Sequence, residues 1–228
     1  RTAILNDLSP AATYIAHNYN FPVDSQAFAV SADKLLSECE KECGWMFETT
    51  HVDSAGHPQL GIDGRPIKAR INYAVWSDVL VCPSCSTEFT FWDVAVDQQK
   101  KTTRDSFICP KCQSNLKKKD CEHAKETYFD TTIQATVTVS KQVPVILNYS
   151  VGKSRFDKTL DNEDWATMEK IDRMECRYWV PCKELPYGYN TEQPKRSHGF
   201  TYVHQFFTKR NYITIATILA KLNGVSLE

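Results

Sequence analysis

Two Cys-Pro-x-Cys pairs, Cys82-Pro83-Ser84-Cys85 and Cys109-Pro110-Lys111-Cys112, constrain this chain more than any other feature of its sequence. A C-x-x-C pair turns both thiols to one side of a tight knuckle. The separation of the two knuckles is close to that found when each ends a short hairpin and the hairpins converge on one tetrahedral zinc ion. Four thiolates leave no coordination position for water, so such a site folds protein rather than catalysing a reaction. Two unrelated pairs of free or redox-active cysteines are the alternative, but a thioredoxin-like pair requires a βαβ setting that neither pair has. Ser86 and Gln113 follow the knuckles at positions where Gly is often found.

The rest of the composition is that of an ordinary globular protein. At 228 residues, 42% of them hydrophobic and 24% charged, the chain can bury a real core in one large or two small domains. A formal net charge of −1 excludes a uniformly basic nucleic-acid binder, so any such contact must be regional. No run of about eighteen apolar residues is present to cross a membrane, and the first residues lack the order of a secretory signal. With nine cysteines, four of them in the two pairs, metal ligation in a reducing compartment fits better than a disulfide framework. The expected location is the cytoplasm. The missing initiator Met and the closing Leu227-Glu228 are read as marks of a fragment of a longer protein.

Local patterns predict an α/β or α+β protein with three regions. In residues 1–44, the apolar run in Thr2 to Leu8 reads as a strand buried on both faces. A helix follows, with Ser9 as N-cap, Pro10 at its first position and Ala12, Ile15, Ala16 and Tyr19 on one face. A second helix is predicted from about Ser25 to Cys43, because Phe28, Ala32, Leu35, Cys39 and Cys43 recur at helical spacing and Gly44 can end it. Residues 45–160 read as mostly β, through the segments MFETTH, KARINYAVWSDVLV, TEFTFWDVAV, TIQATVTV and PVILNYSV, with the ribbon at residues 82–112. Residues 161–228 read as a short helix after Asp161, a polar loop from Glu184 to His198, and a closing helix capped by Thr208 that stops at Gly224.

Two stretches carry positive charge. Between Gln99 and Lys125, Lys100, Lys101, Arg104, Lys111, Lys117, Lys118, Lys119 and Lys125 outnumber Asp105, Asp120 and Glu122. Phosphate contact is one reading and a solvated face, partly offsetting a zinc-tetrathiolate charge, is the other. In KRSHGFTYVHQFFTKRNY, Lys195, Arg196, His198, Lys209 and Arg210 interleave with Phe200, Tyr202, Phe206, Phe207 and Tyr212. That mixture suits phosphate pairing and base stacking, although such aromatics are more often core. His198 and His204 are read as polar structural residues. Cys39 and Cys43 continue an apolar stripe and are read as core; a second metal site drawn from them, Cys121, His123, Cys176 and Cys182 is the alternative. A zinc hydrolase would need an open metal position, which four cysteines deny unless one gave way to water and His123.

The strings TAILNDLSPAATYIAHNYN, GWMFETTH, INYAVWSDVLVCPSC, FWDVAV, KQVPVILNYSVGKSRF and HQFFTKRN together resemble a family of bacterial DNA methyltransferases. These belong to the amino-methylating class, acting on adenine N6 or cytosine N4, and carry a zinc-binding insertion. The likeness spans nearly the whole chain. It implies a partial Rossmann-like strand and helix at the N-terminus, with Asp7 at the end of the strand binding the ribose hydroxyls of S-adenosylmethionine. A carboxylate at the C-terminal end of a parallel strand is well placed to accept both hydroxyl hydrogen bonds. The glycine-rich cofactor loop and the Asp/Asn-Pro-Pro-Tyr motif that holds the target base are absent, and the resemblance implies that they lie before Arg1 and beyond Glu228. These residues alone are therefore expected to recognise or scaffold DNA rather than methylate it, with Lys117, Lys118, Lys119, Lys195, Arg196, Lys209 and Arg210 as candidate contacts. A non-catalytic zinc-ribbon module binding nucleic acid or protein is the alternative.

Overall fold

The computed structural model describes residues 4–98, 100 and 102–223. Two helices come first, α1 (Pro10–Asn20) and α2 (Ser25–Cys43). Asp24 caps α2, its carboxylate accepting from the backbone N–H groups of Gln26 and Ala27. Strands β1 (Glu48–Thr50) and β2 (Lys68–Val81) follow. The chain then makes a set of short elements: β3 (Glu88–Thr90), α3 (Phe91–Ala95), β4 (Val96–Asp97), β5 (Thr102–Thr103), β6 (Phe107–Ile108), β7 (Asn115–Leu116) and β8 (Glu122–His123). A hairpin of β9 (Lys125–Asp130) and β10 (Ala135–Ser140) leads into β11 (Gln142–Val151) and β12 (Ser154–Lys158). Helices α4 (Asn162–Asp172), α5 (Tyr189–His198) and α6 (Lys209–Asn223) complete the order. The mixed class, the sheet-rich middle and the helical C-terminus expected from the sequence are all present. Among the described residues no helix is long and apolar enough to cross a membrane.

The main sheet runs β1-β2-β11-β12, every pair antiparallel, and β3 and β8 pair with the far end of β2. At 14 residues, β2 is long enough to serve two cores. Its first half, with Ala69 and Ile71 buried, lies in the main sheet. Nearby, the helical core gathers Cys43, Met46, Ile171, Val180, Tyr212, Ile213 and Ala216. Its last residues carry Leu80, which is fully buried in a second, smaller core under the knuckles. Pro144, which cannot donate to a ladder, sits in the central strand β11 beside a register shift between Pro144 and Ile146, where a lost hydrogen bond is tolerated.

A buried ammonium ties the sheet to the helices. Lys158, at the end of β12, donates to the Thr50 carbonyl at 3.1 Å and the Asp161 carboxylate at 2.6 Å, and pairs with Asp164 at 2.9 Å. Burial alone would discharge the amine, but the two carboxylates hold its pKa above the ordinary lysine value. Asp161 and Asp164 also form the capping box of α4, and Thr49 of β1 donates to Asp164.

Several local expectations are corrected. Residues 4–8 form no strand, and Arg1–Ala3 lie outside the described residues. Ile4 and Leu8 are exposed, and among the described residues no strand pairs with this run, without which a strand's backbone groups stay unsatisfied. The stripe on α2 is buried only over Leu35, Cys39 and Cys43, where it meets α6, while Phe28 is exposed. Gly44 does not turn left-handed at the end of α2 but continues into a tight 3-10 turn over Gly44–Phe47, which takes the start of the expected MFETTH strand. TEFTFWDVAV is not one strand: α3 interrupts it, because Phe91 and Ala95 turn inward to fill the small core. TIQATVTV starts late, since residues 131–134 make the turn of the β9–β10 hairpin, with Gln134 left-handed at φ 54°. The polar loop expected over Glu184 to His198 contains helix α5, which tolerates Pro194 and ends on Gly199 at φ 79°. The predicted stop at Gly224 lies outside the described residues.

Replacing Lys158 by Ala leaves two carboxylates crowded without their cation, so we expect a loss of about 3–5 kcal/mol in denaturant unfolding. A variant within about 1 kcal/mol of the parent would contradict this role for the ammonium.

Candidate metal centre

Two hairpins of the same design build the site. β2 delivers Cys82; its N–H donates to the Thr87 carbonyl and its own carbonyl accepts from Ser86 N–H, both at 2.9 Å. In the second hairpin Cys109 N–H donates to the Ser114 carbonyl at 3.0 Å, and Gln113 N–H donates to the Cys109 carbonyl at 3.1 Å. Ser86 and Gln113 adopt left-handed backbones, φ 56° and 61°, at the positions where the sequence lacks the usual glycine. A left-handed residue with a Cβ costs roughly 1–2 kcal/mol, which the closed site must offset.

The four sulfurs lie within 4.8 Å of one another. Cys82 Sγ is 3.6 Å from Cys112 Sγ, and Cys85 Sγ is 3.8 Å from Cys109 Sγ. A tetrahedron with metal–sulfur bonds of about 2.3 Å has edges near 3.8 Å, whereas a disulfide would bring two sulfurs to about 2.05 Å. The geometry is that of a site able to hold a metal ion such as zinc. Among the described residues this is the one group of three or more Cys, His, Asp or Glu side chains whose ligand atoms come so close.

Burial and hydrogen bonding treat the thiols unequally. Cys82 and Cys109 are fully buried, Cys85 is half-buried and Cys112 is exposed. Burial pushes the Cys82 thiol up to about 11. Hydrogen bonds from the Ser114 hydroxyl and backbone draw Cys112 down to about 6, and those from Thr87 lower Cys85. A metal dication resolves the conflict, because it stabilises all four thiolates together. Beneath the site Leu80, Phe89, Phe107 and Leu116 close a small apolar floor, with Phe107 edge-on to Phe89 at 5.8 Å and to Phe91 at 5.6 Å.

The other sequence candidates divide. Cys39 and Cys43 pack in the helical interior, where Cys43 lies 3.5 Å from the Thr217 hydroxyl; Cys121 packs on the ribbon floor; Cys176 and Cys182 line an open cavity. No second metal site is assembled from them among the described residues. Asp7 is exposed ahead of α1 and accepts from Ser9 N–H at 2.8 Å, while the Ser9 side chain makes no cap bond. Lys209 donates to the Asp172 carbonyl at 2.6 Å, and Arg210 lies over the Phe47 ring at 5.5 Å and lines a small cavity with Glu48 and Asp164. Both are engaged within the fold. His204 is buried and pairs with Asp130 at 2.6 Å, a structural tie as the sequence suggested.

Lys118 and the end of α5, far apart in sequence, approach through a chain of contacts. Lys118 reaches Asp78 at 2.8 Å and sits over the Phe91 ring. Asp78 also accepts from Gln142 at 2.9 Å and lies 3.9 Å from His123, whose ring is 6.3 Å from that of His198 at the end of α5. Lys125 donates to Ser140, which donates to the Ser197 carbonyl. Lys117 and Lys119, which flank Lys118, and Arg196, two residues before His198, are exposed. Sequence reasoning missed Asp78, a half-buried carboxylate in a strand that no local pattern distinguishes from a solvated one. The chain matches no known protein family, no curated protein and no solved structure.

Replacing Cys82 by Ser should abolish stoichiometric metal binding and lower the melting temperature of the ribbon, because binding energy at a closed site is folding energy. Cys121→Ser should keep the metal. Equal metal content in both variants, measured by elemental analysis, would contradict the four-ligand assignment.

Proposed function

We propose that this chain is a DNA-engaging segment of an S-adenosylmethionine-dependent DNA methyltransferase of the amino-methylating class, in which a structural zinc ion organises the recognition surface. The observation that carries the DNA part is four exposed cations, Lys117, Lys119, Lys125 and Arg196, on segments next to the contacts His123–His198 and Ser140–Ser197 that join the β-rich middle to α5. Phosphates spaced along a strand are what such cations can neutralise. The zinc ion is proposed because four thiolates in a tetrahedron suit it and leave no position for substrate. The methyltransferase part rests on the sequence resemblance, and under that reading Asp7 meets the cofactor's ribose.

In mechanism, this segment's own residues position DNA and do no chemistry. Lys117, Lys119 and Arg196 bind the backbone, and Asp78, holding Lys118 and facing His123, fixes the height of the ribbon over α5. The zinc ion, when bound, supplies only rigidity. One observation favours the runner-up, a non-catalytic zinc-ribbon module: Asp7 lies on no strand among the described residues, so its carboxylate lacks the strand end that the cofactor role requires.

Binding of a DNA duplex across a salt series tests the DNA reading. Replacing Lys117, Lys119 and Arg196 by Gln should weaken binding and flatten the log–log salt slope by about 0.9 for each contact removed. An unchanged slope would sink the proposed interface. Methyl transfer to DNA by a protein that carries this segment together with the glycine-rich loop and the Pro-Pro-Tyr motif would support the enzyme. Failure to methylate any DNA would leave the non-catalytic module.

A further inference from the structure

The four thiols of the metal site differ in what can reach them. Cys82 and Cys109, the first residue of each knuckle, are fully buried, and Cys85 is half-buried. Cys112 is exposed, as are Pro110, Lys111 and Gln113 around it. The difference follows from where each hairpin sits. The first, β2–β3, belongs to the six-stranded sheet, in which β8 also pairs with β2. The second, β6–β7, pairs over two residues and with no other strand among the described residues. It is seated by the buried side chains of Phe107 and Leu116, and its knuckle is left in solvent.

Exposure matters because a sulfur that ligates a metal is held deprotonated, and the thiolate is the form that oxidants meet. A hydroperoxide arriving from solvent reaches Cys112 and does not reach Cys82 or Cys109. The Cys112 sulfur attacks the O–O bond and takes one oxygen, giving a sulfenic acid and releasing hydroxide or alkoxide. A sulfenic acid next to a second thiolate condenses to a disulfide. Cys82 Sγ is 3.6 Å from Cys112 Sγ. The Cys82 thiolate attacks the Cys112 sulfur, the S–O bond breaks, hydroxide leaves and the S–S bond closes to about 2.05 Å. Two thiolates have lost two electrons, the peroxide has gained them, and the metal keeps its charge. Only Cys85 and Cys109 then remain as ligands.

We propose that Cys112 is a site of oxidation by hydroperoxides, and that its condensation with Cys82 releases the metal and unseats the β6–β7 hairpin. This rests on the four-thiolate zinc reading above and adds a regulation of that site. The choice of partner is the specific part, because the bond joins the exposed knuckle to the end of β2. Other thiols are open to the same reagent: Cys182 is exposed and Cys176 is half-buried. Both line a cavity that no ribbon residue lines, so their oxidation leaves the four ligands in place. Cys121, half-buried on the ribbon floor, is the competing partner for Cys112. It is not among the four sulfurs that lie within 4.8 Å of one another.

The test adds hydrogen peroxide in steps to the full chain loaded with zinc. A chromogenic chelator follows metal release, and mass spectrometry of unreduced peptides maps the disulfides. Zinc should leave in proportion to the Cys82–Cys112 disulfide formed, and a dithiol reductant with added zinc should restore the loaded chain. Cys121→Ser, Cys176→Ser and Cys182→Ser keep all four ligands and should release zinc at the parent's rate. Zinc retained while Cys182 is oxidised would overturn the proposal and leave the four-cysteine site standing. So would a disulfide of any other pairing, oxidation of Cys112 to sulfinic acid without a disulfide, or slower release in one of the three variants. A parent chain that takes up no zinc would overturn the site and its regulation together.

Discussion

Four sulfur atoms crowded within 4.8 Å are the condition on which the middle of this fold depends. As thiolates they would repel one another, and as thiols they would give little to hold two hairpins that pair over only two or three residues each. Pairing so short does not persist on its own, and the apolar floor beneath it is too small to fix it. A metal ion changes the sign of the interaction. Bound there, it would convert mutual repulsion among the sulfurs into shared attraction and close the loop between the knuckles, which would offset the left-handed backbones of Ser86 and Gln113.

The consequences reach beyond the ribbon because β2 belongs to both cores. One end of the strand lies in the main sheet and the other carries Leu80 and Cys82 into the ribbon, so the metal centre and the sheet are parts of one covalent rod. Asp78 on that strand gathers Lys118, Gln142 and His123. Through His123 and His198 the ribbon meets α5, and through Ser140 and Ser197 the hairpin meets it as well. Segments distant in sequence are thereby tied together. Under the proposed DNA reading such rigidity matters, since each side chain ordered before binding reduces the entropy lost on contact.

What was legible in the sequence was whatever is encoded by spacing. The Cys-Pro-x-Cys pairs, the stripe of Leu35, Cys39 and Cys43, and the long β-branched run of β2 each state their structure in residue periodicity, and each is present. The failures have physical causes. The run over Thr2 to Leu8 is apolar enough for a buried strand, yet the described part finds no partner, and pairing is not a local property. In TEFTFWDVAV the demand for Phe91 and Ala95 in a small core overrode β-propensity. Helix α5 was hidden because Pro194 and its polar residues mimic a loop; its stability comes from Gly199 and from docking on β10. The candidate cations could not be sorted by sequence at all, since Lys209 and Arg210 are engaged within the fold and Lys117, Lys119 and Arg196 are exposed.

X-ray absorption at the zinc edge of the purified chain counts the atoms around the metal. Four cysteine ligands give a single shell of four sulfurs at about 2.3 Å with no nitrogen or oxygen neighbour. A shell with one or more nitrogen or oxygen ligands near 2.0–2.1 Å would contradict it, by opening the site to histidine or water and returning a catalytic metal to consideration.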